Sequence, residues 1–111
     1  MDIKDNEQII SEIAKAWETM NAELIIANLD KTFVYDSQWV FESLDYCKYI
    51  EYIRAKFKTI KEKGTLPIVK IVPDNSLGGS MVALKQGNNP PAFYRVKINN
   101  GKVVKGDLCM F

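Results

Sequence analysis

The sequence contains no histidine. That absence excludes Ser-His and Cys-His nucleophile pairs and every metal site built on imidazole. Cysteine is scarce, with only Cys47 and Cys109, too few for a disulfide framework. Neither has a histidine to activate it, so both read as inert packing thiols. No apolar stretch approaches the roughly 18 to 20 residues of a membrane span. The N-terminal MDIKDNEQ lacks the basic segment and apolar run of a signal peptide. A reduced, cytoplasmic protein is the expectation. Charge of one sign is also missing: 15 Lys and Arg against 14 Asp and Glu leave a net charge of +1. No global field therefore draws the chain to nucleic acid or to a membrane. No cofactor and no metal are expected.

What is present is the balance of an ordinary globular domain, 47% hydrophobic and 26% charged over 111 residues. That length gives one core and one domain over 1–111. Asp5 followed by Gln8 predicts a capping box, and Ile9, Ile10, Ile13, Ala14, Trp17 and Met20 recur at helical spacing. The first helix is thus expected from Asn6 to Met20. Asn21 caps a short second helix, AELIIANL. Lys31 to Asp36 is β-branched and aromatic and reads as a strand, with a second short strand over Gln38 to Glu42. Ser43 or Asp45 caps a third helix whose stripe is Tyr46, Tyr49, Ile50, Ile53, Phe57 and Ile60, ended by Gly64. Lys56, Lys58, Lys61 and Lys63 then form its solvated face and last turn, where cations suit the helix dipole.

Every later segment reads as strand: Leu66 to Val72, Ser80 to Gln86, Ala92 to Ile98 and Val103 to Phe111. The LPIVKIV run is too apolar for a strand with one face in water. Gly78-Gly79 is a turn with no phosphate-binding pattern around it. Asn100-Gly101 predicts a two-residue type I′ hairpin. A regular register then sets Ile98 opposite Val103, Val96 opposite Lys105 and Tyr94 opposite Asp107. Tyr94 and Asp107 form either a buried hydrogen-bonded pair or an exposed sheet pair. Arg95 is either an exposed ladder cation or, if its face turns inward, an anion ligand. In this register both faces of the hairpin are substantially apolar, one of them through Phe93, Val104, Leu108 and Met110. The face away from the helices should then meet a second copy, so a homodimer through the sheet is expected.

The stretch FVYDSQWVFE, Phe33 to Glu42, gathers aromatics around one short acid, Asp36. Strict alternation places Phe33, Tyr35, Ser37, Trp39 and Phe41 on one face, unless a bulge intervenes. Trp17, Tyr35, Trp39, Phe57 and Tyr94 either line a cavity for a small apolar ligand or pack as core. Asp36 is either a general base buried among Tyr35, Trp39 and Trp17, or a turn residue bonding nearby backbone.

Helices first and a long antiparallel run after them make an α+β pattern. The order helix–helix–strand–helix followed by four strands resembles the nuclear-transport-factor-2-like superfamily over nearly the whole chain. The resemblance implies three helices packed on a strongly curved, mostly antiparallel sheet, in a cone. FVYDSQWVFESLDYCKYIEYI and INNGKVVKGDL are similar to the corresponding parts of ketosteroid isomerases, which implies Asp36 as the catalytic aspartate, a general base. The oxyanion-stabilising pair of those enzymes is missing: Ala16 and Trp17 stand near its tyrosine, Phe93 and Tyr94 near its acid. The histidines usual in polyketide-cyclase-like members are absent too. Three functions follow. The first is a small-molecule-binding or accessory domain with an apolar, aromatic-lined cavity. The second is a lyase, isomerase or cyclase that abstracts a proton next to a carbonyl with Asp36. The third is a protein-interaction module that uses the sheet face.

Overall fold

The computed structural model describes residues 5–37, 42–73, 80–88 and 90–110, with side chains given as far as Leu108. Its elements are α1 (Asn6–Thr19), α2 (Glu23–Ile26), β1 (Leu29–Ser37), β2 (Leu44–Asp45), α3 (Tyr46–Lys63), β3 (Ile68–Pro73), β4 (Ser80–Lys85), β5 (Ala92–Asn99) and β6 (Lys102–Met110). The three helices lie on an open six-stranded mixed sheet of order β2-β1-β6-β5-β4-β3. Only β1 and β6 run parallel; the other neighbouring pairs are antiparallel. The α+β architecture and the three helices are as the sequence predicts.

The helices begin where their caps dictate. Asp5 accepts from Gln8 N at 2.7 Å, while the Gln8 side chain turns to Glu12 instead of completing a capping box. Met20, in the left-handed region at φ 55, ends α1. The N-cap residue of α2 is Ala22 and not the expected Asn21, which stands one residue earlier and accepts from Glu23 N through its Oδ1 at 3.2 Å. The second helix stops early because Asn28 leaves the helical path. Its amide, 1% exposed, donates to Glu12 Oε1 and Leu24 O, and its carbonyl accepts from Val103 N at 2.8 Å. One buried, fully engaged asparagine thus ties α1, α2 and β6 together, as burial of an amide requires. Asp45 caps α3 through Lys48 N at 2.9 Å, and Gly64 ends it at φ 68. None of the helices described is long and apolar enough to cross a membrane.

The strand pairing departs from the expected pattern at three places. The partner of β1 is the dipeptide Leu44–Asp45, opposite Tyr35 and Val34; most of the expected strand Gln38 to Glu42, with Trp39 and Phe41, lies outside the described residues. The apolar β3 is an edge strand with Ile68 and Ile71 exposed, not a strand covered on both faces. The third departure reorders the last hairpin. Asn100 (φ 51) and Gly101 (φ 74) form the predicted turn and Ile98 faces Val103, but Lys97 then faces Lys105. Val104 is an extra residue in β6, a β-bulge.

Beyond that bulge the regular register fails by one. Val96 faces Gly106, Arg95 faces Asp107 and Tyr94 faces Leu108. The helix-facing side therefore carries Tyr94, Gly106 and Leu108, all but closed to solvent, and the outer side carries Arg95, Lys97, Lys105 and Asp107. The bulge keeps Lys105 and Asp107 out of the core, where an uncompensated charge is costly.

Gly106 sits beneath the Phe33 ring. A Cβ there would lie 3.2 Å from two Phe33 ring carbons and 3.3 Å from Tyr94 Oη, all belonging to side chains at most 1% exposed. Gly106→Val, although suited to a strand, should destabilise the protein by about 1–3 kcal/mol through overpacking, read as a lower urea midpoint. An unchanged midpoint would show that Phe33 yields freely.

Candidate functional site

Between the helices and the sheet lies a continuous aromatic cluster. Trp17 of α1 meets Phe57 of α3 edge-on at 4.8 Å between centroids and Tyr94 of β5 at 5.9 Å. Tyr35 of β1 lies 4.6 Å from Tyr49, 5.6 Å from Tyr52 and 6.4 Å from Tyr94. Phe33 closes on Tyr49 at 4.9 Å. Trp17, Tyr35, Phe57 and Tyr94, four of the residues expected to line a cavity, are thus brought together, each at most 3% exposed. Trp17 packs on Phe57 and Tyr94, and Tyr94 stacks on Tyr35. Trp39 lies outside the described residues.

Two polar features sit inside this cluster. The hydroxyls of Tyr49 and Tyr94 share a hydrogen bond at 2.8 Å. Trp17 Nε1, equally buried, has no acceptor among the described residues. Burial holds the phenols of Tyr35, Tyr49 and Tyr94 well above their ordinary value, and neighbouring phenols reinforce this at Tyr35 and Tyr49. Tyr49 and Tyr52 complete the cluster and were not among the expected site residues. Their signal was present, because Tyr49 and Tyr52 each stand four residues before Ile53 and Lys56, on the stripe of α3 and its flank.

Asp36 is elsewhere. Alternation along β1 sends Tyr35 inward at 1% exposure and Asp36 outward, its side chain 45% exposed. There it accepts from Ser43 Oγ and stands 4.0 Å from Lys105 Nζ, beside Asp107 on β6. It is therefore not buried among Tyr35 and Trp17: the thickness of the sheet separates it from the cluster. The expected Tyr94–Asp107 pair does not form. Asp107 instead takes a two-armed ion pair from Arg95, at 3.0 and 3.3 Å, on the outer face. Among the described residues the interior offers hydroxyls, an indole N–H and the Asn28 amide, and no buried carboxylate. Nor does any group of three His, Cys, Asp or Glu gather there to hold a metal.

An open cleft of about 590 Å³ lies at the other end of the sheet. Its cause is in the pairing. The strand β4 bonds to β5 over three rungs only, Val82–Tyr94, Ala83–Phe93 and Leu84–Ala92, while β5 runs on to Asn99. Among the described residues the pairing of β4 with β5 ends at Tyr94, and Asn6 and Glu7 of the first turn of α1 line the cleft with Ser80. Among the described residues Ile10, Val96 and Ile98 line it from the helix-facing side of the sheet and Arg95, Lys97, Lys105 and Asp107 from the outer side, with Glu7 on α1. Glu7 is held by Ser80 Oγ at 3.4 Å. None of the expected site residues that are described lines this cleft. Sequence reading missed it because it depends on how α1 and strands β4, β5 and β6 come together, which no local pattern records.

No protein-family model matches the sequence, and no curated protein sequence is significantly similar to it. Solved structures do match over the whole chain. A SnoaL-like protein of unknown function from Burkholderia thailandensis covers 100% of this chain and 99% of its own, with a TM-score of 0.72 at 16% identity. The fold is the nuclear-transport-factor-2-like cone. A protein of that description and of unknown function from Cytophaga hutchinsonii matches with a TM-score of 0.62 at 12% identity, covering 100% of this chain and 93% of its own. A SnoaL-like family protein from Agrobacterium tumefaciens, provisionally named an isomerase, matches at 0.64 and 10% identity over 95% and 96%. At these identities the likeness is one of fold, and the site has to be argued from this chain.

The buried phenols give the cone an alkaline limit. Each of the three keeps its proton in the fold while the unfolded chain loses it above pH 10.0. Stability is accordingly full below that pH and falls above it, by about 1.4 kcal/mol per pH unit for each tyrosine. Tyrosinate absorbance should therefore show three phenols ionising only in step with loss of the native circular dichroism. Their titration in the still-folded protein would contradict this packing.

Proposed function

We propose that the chain is a small-molecule-binding domain whose ligand lies in the cleft between the first turn of α1 and strands β4, β5 and β6. The observation that carries this reading is the cleft itself. Its volume falls within the roughly 300–1,000 Å³ of small-molecule sites, and both apolar and charged residues line it. The alternative, proton abstraction next to a carbonyl by Asp36, has less support. Asp36 faces outward, no oxyanion-stabilising pair stands beside it, and the interior holds no second acid among the described residues.

One observation favours a second position for a ligand. The buried Trp17 Nε1–H lacks an acceptor, and an unmet buried donor costs about 1–3 kcal/mol. A neutral ligand carrying one acceptor, admitted between Trp17 and Tyr94, would satisfy it. The homodimer through the outer sheet face is likewise a proposal. Val34, 37% exposed, and Ile68, 63% exposed, support it, as does the mixed sign of Asp36, Lys105 and Arg95, which is self-complementary under a two-fold axis. The bulge has taken Leu108 off that face, so its support is narrower than a regular hairpin would give.

Native beside denaturing mass spectrometry of the purified protein should reveal a non-covalent added mass. Amide shifts on adding the released compound should then cluster on Ile10, Val96 and Ile98 and persist in Asp36→Asn. Shifts confined to Trp17 Nε1 and Tyr94 would move the site into the aromatic interior, and loss of turnover on Asp36→Asn would restore the enzyme reading. Sedimentation at tens of micromolar should give two chains, and a single chain would end the dimer proposal.

A further inference from the structure

We propose that the outer edge of β3 takes an extended segment of another protein as a further strand of the sheet, with an acidic residue of that segment set against Lys70. The edge is separate from the cleft, and failure of one leaves the other untouched. Four large apolar side chains are exposed among the described residues. Three of them, Leu66, Ile68 and Ile71, lie on β3 or just before it, so the exposure is concentrated at one rim. Along that rim β4 pairs with β3 at every position from Ile68 opposite Lys85 to Pro73 opposite Ser80, and no described strand lies on the other side. Such an edge presents a row of backbone N–H and C=O groups without ladder partners.

The exposed side chains belong to both faces. Ile71 pairs with the fully buried Val82 and so points to the helix side, whereas Ile68 pairs with Lys85 on the outer side. They remain 45% and 63% exposed. The first helix packs on β3 without covering its rim. A layer laid on either face would cover one isoleucine and leave the other in water. A strand laid alongside covers both, because its side chains alternate between the faces while its backbone meets the open row. Prolines bound the frame: Pro67 precedes the strand and Pro73 ends it, and neither has an N–H to give.

Charge decides whose strand this is. Lys70 lies between the two isoleucines on the outer side, diagonal to Lys85, and neither lysine makes an ion pair among the described residues. A second copy of the chain fits badly. The antiparallel two-fold register that sets Ile68 against Val72 and Val69 against Ile71 also sets Lys70 against itself, and like charges directly opposite are destabilising. Lysine on an edge strand commonly blocks such self-pairing. A foreign segment with an acid at that rung and apolar residues on either side gains an attractive pair where a second copy meets a repulsion.

The test is titration of the isotope-labelled intact protein with three capped peptides, TIVEIVT, TIVKIVT and TPVEPVT, followed by amide shifts and calorimetry. It is repeated in Lys70→Glu and, as a control on the solvent face of α3, in Lys58→Gln. The expected result is saturable binding of TIVEIVT with shifts along residues 68–72, about fivefold tighter than TIVKIVT, the swing between an attractive and a repulsive cross-strand pair. TPVEPVT should not bind, because in either frame one of its prolines removes an N–H that faces β3. Lys70→Glu should reverse the preference between the first two peptides, and Lys58→Gln should leave it unchanged. Equal binding of TIVEIVT and TIVKIVT, unmoved by Lys70→Glu, would overturn the acidic partner. Undiminished binding of TPVEPVT would overturn strand addition. Shifts confined to Ile10, Val96 and Ile98 would place the peptide in the cleft and overturn the edge, as would the absence of shifts along residues 68–72 with every peptide.

Discussion

A single extra residue, Val104, decides which side chains of the last hairpin face the helices. In a regular register Lys105, Asp107 and Cys109 would follow Val103 onto the inner face. Two of those three carry charges, and burying them without partners would cost several kcal/mol. With the bulge the inner positions are Gly106 and Leu108. Everything central to the cone then fits. Gly106 admits the Phe33 ring, Leu108 packs beside Tyr94, and the Tyr94 hydroxyl meets that of Tyr49. The same shift sets Arg95 against Asp107 outside, and Lys97 against Lys105. One inserted residue thus builds both the aromatic interior and the electrostatics of the cleft.

The two regions differ in kind. The interior is closed, aromatic and nearly fully hydrogen-bonded, with the Trp17 N–H as its exception. Its phenols are held neutral by burial, which suits rigidity and offers no base. The cleft adjoins a short pairing: among the described residues β4 follows β3 over its full length but β5 for three rungs. Ligand sites commonly arise where a regular element runs out.

The acid that draws attention in the sequence illustrates the constraint. Asp36 follows Tyr35, and Tyr35 is committed to the core by three aromatic contacts. Period-two alternation then leaves Asp36 no choice but the outer face. There Ser43 and Lys105 give it a structural role, linking the end of β1 to the approach to α3 and to β6. Shared fold with a protein provisionally named an isomerase does not carry that chemistry to this chain, because fold and function are separable.

Much of the architecture was written locally. Asp5, Asp45 and Gly64 fixed helix ends, the 3.6-residue stripes of α1 and α3 fixed their buried faces, and Asn100-Gly101 fixed the turn. These are decided within a few residues by backbone sterics and hydrogen-bond geometry, so the sequence alone determined them. The aromatic residues Trp17, Tyr35, Phe57 and Tyr94 were legible as a group because burial follows from hydrophobic period. Their packing against one another, the outward turn of Asp36, the bulge at Val104 and the parting of β4 from β5 were not. Each depends on which of two registers places fewer charges in the core and more surface in contact. That balance exists only once distant segments are in place, and the tertiary structure decided it.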